Sequence, residues 1–124
     1  MKIMLVDDKD ISNFIMRKFI EIRKPDATVK EFTDPKEAYE GIKDFNPDII
    51  FLDLNMPIMN GWQFLDKMLT DKLSQKVAIL TSSTSNEDME KSKSYGNVVN
   101  FYVKPLTPDE LARVFTDLNT QTPA

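Results

Sequence analysis

Four near-continuous apolar runs punctuate the chain: Ile3-Met4-Leu5-Val6, Ile49-Ile50-Phe51-Leu52, Val77-Ala78-Ile79-Leu80 and Val98-Val99-Asn100-Phe101-Tyr102-Val103. Short runs that do not alternate with polar residues read as strands buried on both faces, the habit of a parallel sheet. Helix-length polar segments separate them. Asp10 to Ile22 carries Ile11, Ile15, Phe19 and Ile22 at helical spacing, which predicts that this stripe packs on the sheet. Pro25 closes that segment, and Thr28 to Phe32 reads as a weaker strand at a sheet edge.

The remaining helices announce themselves at their starts. Asp34-Pro35-Lys36-Glu37 offers an N-cap, a proline at the first helical position and a capping-box glutamate. That helix should run to about Asp44, before Asn46-Pro47 breaks it. Asn60-Gly61 would signal a hairpin between alternating strands. Here Trp62, Leu65, Met68 and Leu69 follow at helical spacing, so a loop into a helix fits better. Ser85 to Tyr95 is nearly all polar, with Met89 as its main apolar anchor, and should be the least firmly packed helix. Thr107-Pro108-Asp109-Glu110 repeats the capping-box pattern, and Leu111, Val114, Phe115 and Leu118 form the apolar face of the last helix. Strand followed by helix, five times over, predicts an α/β domain on a parallel sheet. It should occupy residues 1–119, with a frayed tail over 120–124.

Composition narrows the chemistry by exclusion. The chain lacks cysteine and histidine, so thiolate chemistry, zinc-thiolate sites and the usual general base are all absent. A net charge of −4 without a basic cluster argues against direct nucleic-acid binding. No apolar run nears membrane-spanning length and no leader precedes the first strand, which makes the cytoplasm the expected location.

What remains sits at the strand ends. Asp7 and Asp8, Asp53, Thr81 and Lys104 each follow an apolar run directly. Taken singly, each has an ordinary explanation: a solvated acidic turn, an N-cap, a polar loop, a surface Lys-Pro turn. Jointly they converge, because ligands collect outside the carboxyl ends of strands in an open parallel sheet. Carboxylates, a hydroxyl and an ammonium on one rim suit a hard divalent cation and a phosphoryl group. Mg²⁺ takes oxygen ligands, one or two of them carboxylates, so Asp8 and Asp53 can bind it directly, with Asp7 through water and a backbone carbonyl near Asn55 beside them. Asp53 can also be a nucleophile, with Lys104 as a point charge and Thr81 as a hydroxyl donor to the phosphoryl oxygens.

At this point the chain resembles the receiver domain of bacterial two-component response regulators, of the single-domain chemotaxis type, from about Lys2 to Leu118. The resemblance rests on LVDD at Leu5 to Asp8, IIFLDLNMP at Ile49 to Pro57, Asn60-Gly61, ILTSS at Ile79 to Ser83 and Lys104-Pro105. It implies a doubly wound, flavodoxin-like sheet of order 2-1-3-4-5 with helices on both faces. It also implies phosphoryl transfer from a histidine kinase or phosphotransfer protein to Asp53, dependent on Mg²⁺. Lys104 would pair first with the acceptor and then with the phosphoryl group, Thr81 would move to bond the phosphate, and the Lys104-Pro105 peptide bond would be cis.

The departures are few. The segment after Gly96 is one residue longer than in the chemotaxis-type regulators. Phe101 stands where many receivers carry a switch tyrosine, so a rotamer switch there must work by packing alone. Asn55 and Ser83 occupy positions that resemble the family's tuners of dephosphorylation rate, and neither is an acid. A phosphatase of the haloacid dehalogenase-like class shares the aspartyl phosphate and Mg²⁺, but needs an acid where Asn55 stands. A flavodoxin-like cofactor binder would need a Gly- and hydroxyl-rich phosphate loop where Asp7-Asp8 stands. A degenerate adaptor would have lost a site residue, and none is lost. The reading is therefore of a signalling phosphoacceptor rather than an enzyme acting on other substrates. Its output is expected through a downstream protein, or a second copy, on the face of the fourth helix, fifth strand and fifth helix.

Overall fold

The computed structural model describes the backbone of residues 1–121 and the side chains of residues 1–118. Five strands, β1 (Lys2–Val6), β2 (Thr28–Phe32), β3 (Ile49–Asp53), β4 (Lys76–Thr81) and β5 (Val98–Val103), alternate with five helices. The helices are α1 (Asp10–Arg23), α2 (Pro35–Phe45), α3 (Gly61–Thr70), α4 (Asn86–Ser92) and α5 (Pro108–Gln121). All strand pairs are parallel and the order is β2-β1-β3-β4-β5, the doubly wound arrangement expected. The weak strand β2 lies at one edge, with most of its residues exposed.

Because successive strand residues face opposite sides, the sheet feeds two cores. Met4, Val6, Ile50, Leu52, Val77 and Ile79 pack against α2 and α3. Ile3, Leu5, Ile49, Phe51, Ala78 and Leu80 pack against α1 and α5. β5 keeps this alternation only through a bulge. Its register passes from Val77↔Val98 to Ala78↔Asn100, skipping Val99. A one-residue slip would turn every later side chain to the wrong face; the bulge leaves Phe101 on the α2–α3 side and Tyr102 on the α5 side.

Helix α1 departs from the expected orientation: of the four stripe residues, Phe19 packs against the core and the others are exposed. Ile11, Ile15 and Ile22 are 62%, 46% and 76% exposed, while Asn13, Met16 and Ile20 are buried. The helix carries two stripes, and the one with a polar leading residue faces the sheet because that residue finds partners there. Leu69 on α3 is likewise exposed, and Phe64 fills the core. On α4, Met89 is 41% exposed and is not the anchor. Tyr95, just past the helix, does that work. Its ring stacks on Trp62 at 5.8 Å and its hydroxyl donates to Asp66 Oδ1 at 2.6 Å. Burial, then the bond to Asp66, pushes the Tyr95 hydroxyl up to about 12.

The caps differ in detail from expectation. Asp34 caps α2 through the Lys36 N–H at 2.9 Å, without a return bond from Glu37 among the described hydrogen bonds. Full reciprocal boxes form at Asn60/Gln63 and Thr107/Glu110. Leu111, Val114, Phe115 and Leu118 are buried as expected. α5 runs to Gln121, two residues into the segment expected to fray, and residues 122–124 lie outside those described. Among the described residues no helix is long and apolar enough to cross a membrane.

Candidate functional site

The carboxyl ends of β1, β3, β4 and β5 meet at one rim, and the residues expected there are brought together. Asp7, Asp8 and Asp53 each present a carboxylate oxygen within 4.8 Å of the others. Lys104 reaches across from the end of β5, its Nζ 3.4 Å from Asp53 Oδ2 and in close contact with Asp7 Oδ2. Its N–H donates to Thr81 O at 2.7 Å, which ties the end of β5 to the end of β4; the Lys104-Pro105 bond is cis. Three carboxyl groups thus face one ammonium in a partly buried cleft.

Electrostatics follow from that crowding. Burial raises the Asp53 carboxyl above its ordinary range; the Asn55 N–H on Oδ1 at 3.1 Å and Lys104 oppose this, while Asp7 adds to it. For Lys104, burial would lower the ammonium, but the pairs with Asp7 and Asp53 overcome it and hold it above its usual value. Asp7 is 6% exposed and its Oδ1 accepts from the Lys9 N–H at 3.0 Å. Asp8 Oδ1 is buried with no hydrogen-bond partner. A buried carboxylate oxygen without a donor is costly unless a cation meets it. The acidic cluster can hold a metal ion, and an all-oxygen donor set selects a hard one.

Thr81 is fully buried, and its hydroxyl accepts from the Ser83 N–H at 3.1 Å and the Asn55 amide at 3.4 Å. Ser83 in turn donates to Asp88 Oδ2 on α4 at 2.7 Å. A hydrogen-bonded chain therefore runs from Asp53 through Asn55, Thr81 and Ser83 to α4. Phe101 packs, half-buried, on the α2–α3 side of the sheet.

Residues outside the sequence-derived set also shape the rim. Gly61 is obligatory by packing, since a Cβ there would lie 2.7 Å from Leu54 Cα and 2.8 Å from Asp53 O. Asn13 is 3% exposed and bonds the Asp7 carbonyl. Asp88 joins the rim through its carboxylate, which accepts from the Ser83 hydroxyl. The signal available for Asn13 was its spacing to Met16 and Ile20, a polar residue leading an apolar stripe; nothing marks Asp88 apart from other acids.

Comparison with known proteins bears on the family and the fold. The sequence model of the response regulator receiver domain matches residues 3–116. The nitrate/nitrite response regulator protein NarL of Escherichia coli (strain K12) is 29% identical over 111 residues, covering 90% of this chain and 51% of NarL. This chain thus spans about half the length of that relative. Among solved structures, a two-component response regulator from Cytophaga hutchinsonii superposes with a TM-score of 0.86 at 26% identity, covering 97% of each chain. The receiver domain of the Francisella response regulator 1452 does so with a TM-score of 0.80 at 30% identity, covering 98% of each. The chain belongs to the response regulator receiver domain family.

Proposed function

We propose that this receiver domain accepts a phosphoryl group on Asp53 from a phosphohistidine of a histidine kinase or phosphotransfer protein, in a Mg²⁺-dependent step. The observation that carries the reading is the Asp53 carboxylate, 6% exposed, set between the Lys104 ammonium and the Asp7-Asp8 pair with its unpartnered oxygen. Asp7, Asp8 and Asp53, with the Asn55 carbonyl, are the residues that would hold Mg²⁺. When bound, the ion supplies the positive charge that offsets the carboxylates and the incoming phosphoryl oxygens.

The step needs little else. A carboxylate oxygen of Asp53 attacks phosphorus, the P–N bond breaks, and its electron pair leaves with the imidazole. The product is an acyl phosphate, and no general acid is required of the protein. That suits a chain without histidine, with Asn55 where a phosphatase would place an acid. Lys104 passes from the carboxylate to a phosphoryl oxygen, and the Thr81 hydroxyl turns from its present partners to donate to another. The domain acts on no other substrate; its turnover is its own phosphorylation and dephosphorylation, with Asn55 and Ser83 placed to tune the latter.

The donor must reach a recessed acceptor. A groove of about 590 Å³ opens over Asp53 between α1 and the Lys104–Leu106 turn, with Ile15 and Met16 on its α1 side. The exposed Ile11, Phe14 and Ile15 of α1 are the adjoining apolar surface, fitted to a protein donor. Output follows the chain from Asp53 to Asp88 toward α4, β5 and α5, where withdrawal of Thr81 makes room for Phe101 to repack. A downstream protein or a second copy would read that face, without nucleic-acid or membrane contact. The unit extends through α5 to Gln121, in the cytoplasm. The test is transfer of label from a phosphorylated histidine kinase. Mg²⁺-dependent, alkali-labile label that is lost in Asp53→Asn supports the reading; label retained in Asp53→Asn overturns it.

A further inference from the structure

The stripe of α1 that faces the sheet begins with an amide. Asn13 stands one turn before Met16 and two before Ile20, in a core position, and is 3% exposed. Burying a carboxamide among apolar groups is unfavourable unless its hydrogen bonds are made. Both Nδ2 donors are used: one to the Asp7 carbonyl and one to the Phe32 carbonyl, each at 3.1 Å. The Phe32 carbonyl also accepts the Asp7 N–H at 3.1 Å. One side chain thereby ties α1 to the ends of β1 and β2.

The consequence falls on Asp8. The Asp7 side chain is held directly, by the Lys9 N–H and by Lys104. The Asp8 carboxylate has no such hold, since its buried Oδ1 lacks any partner, and it faces Asp7 and Asp53 at close range. Repulsion would swing it out of the cleft if its backbone were free to turn. The carbonyl of Asp7 belongs to the peptide that joins Asp7 to Asp8, so the bond from Asn13 fixes the plane from which the Asp8 side chain departs.

We infer that Asn13 is a positioning residue for the cation site: it clamps the Asp7-Asp8 peptide so that the Asp8 carboxylate stays aimed into the cleft. The inference rests on the reading of that cleft as a Mg²⁺ site. Groups behind metal ligands commonly contribute about 10–100-fold in affinity. Asn13→Leu keeps the branched shape, though not the volume, and removes both donors. Mg²⁺ titrated by calorimetry, well below the melting temperature and with the folded state verified, should bind this variant at least about 10-fold more weakly. A residue that merely fills the core would lower the melting temperature and leave the affinity of the folded protein alone.

A folded Asn13→Leu that binds within about twofold of the unaltered protein overturns the clamp and leaves the cation site standing. An unaltered protein that binds no Mg²⁺ overturns the cation site and the clamp with it. Should the variant not fold, side-chain amide NMR on the unaltered protein decides. The Asn13 Nδ2 signals should shift through a Mg²⁺ titration with the same midpoint as the Asp8 backbone amide. Unmoved Asn13 signals while Asp8 shifts would overturn the inference.

Discussion

Lys104 Nζ lies 3.4 Å from Asp53 Oδ2 and closer still to Asp7, joining the end of β5 to the ends of β3 and β1. Both partners are buried, and Lys104 keeps 25% of its side chain exposed. The ammonium is therefore a structural counter-ion to both carboxylates, whatever its part in the proposed transfer. Lys104→Met should destabilise the domain at neutral pH, by about 1–3 kcal/mol rather than the larger loss of a fully sealed pair. It also removes a cause that lowers Asp53, so the raised carboxyl rises further. A group that binds its proton more tightly when folded favours the folded state on protonation. Stability of Lys104→Met should accordingly recover as pH falls through the acid range and decline as pH rises through the Asp53 titration. Chemical denaturation across that range checks the sign.

Asp53→Asn should be more stable than the unaltered protein when no divalent cation is present. Burial disfavours the ionised Asp53, with Asp7 adding to the strain, and the amide relieves both. A rise of about 3–5 °C per kcal/mol is expected in a domain of this size. Millimolar Mg²⁺ should reverse the ranking, because it stabilises by mass action only where the carboxylates can bind it. Melting curves of both proteins with and without Mg²⁺ provide the comparison.

Much of this was open to reading from the chain, for physical reasons that also explain the rest. The strands were legible because both-face burial forces runs such as Ile49 to Leu52, and the convergence of Asp7, Asp8, Asp53 and Lys104 because each directly follows such a run at one edge of the sheet. The face of α1 was not. Ile11, Ile15, Phe19 and Ile22 make the better apolar stripe, yet only Phe19 of it packs inward, and the buried stripe includes Asn13, which bonds a carbonyl on Phe32, 19 residues away. Tyr95 was missed as the anchor because it lies past the end of α4 and acts through Trp62 and Asp66 on α3. The bulge at Val99 was not visible, since its place depends on register with β4.

Tyr95→Phe should cost about 1 kcal/mol, the net worth of the bond to Asp66. The unaltered protein should also lose stability as pH climbs from about 10 toward about 12. Over that interval the unfolded chain ionises this phenol and the folded chain does not. The loss should be smaller in Tyr95→Phe. Equal alkaline slopes in the two proteins would remove Tyr95 as the source.

Asp88→Ala should loosen α4 without touching the acceptor. The Ser83 hydroxyl loses its acceptor on the helix, a bond worth about 1 kcal/mol, so amides of residues 86–95 should exchange about fivefold faster. Protection of β3 should stay as it was. Uniform loss of protection over the whole sheet would mean that Asp88 supports the fold at large rather than the link to α4.

Ile15→Asp should separate the two kinds of donor. The side chain is 46% exposed beside the groove, so the fold should tolerate the change, while an apolar protein contact should not. Transfer from a phosphorylated kinase should slow by about tenfold or more, the scale of losing one buried aliphatic contact and adding a charge. Acetyl phosphate, which needs no such contact, should label the variant at the normal rate.

The most direct test of the central claim is to locate the phosphoryl group itself. After incubation with acetyl phosphate and Mg²⁺, borohydride cleaves an aspartyl phosphate reductively and leaves homoserine in its place, which peptide mass spectrometry can position. Homoserine at position 53 alone, absent without Mg²⁺, is the predicted result. Homoserine at Asp7 or Asp8, or none while the protein still carries phosphate, would contradict it.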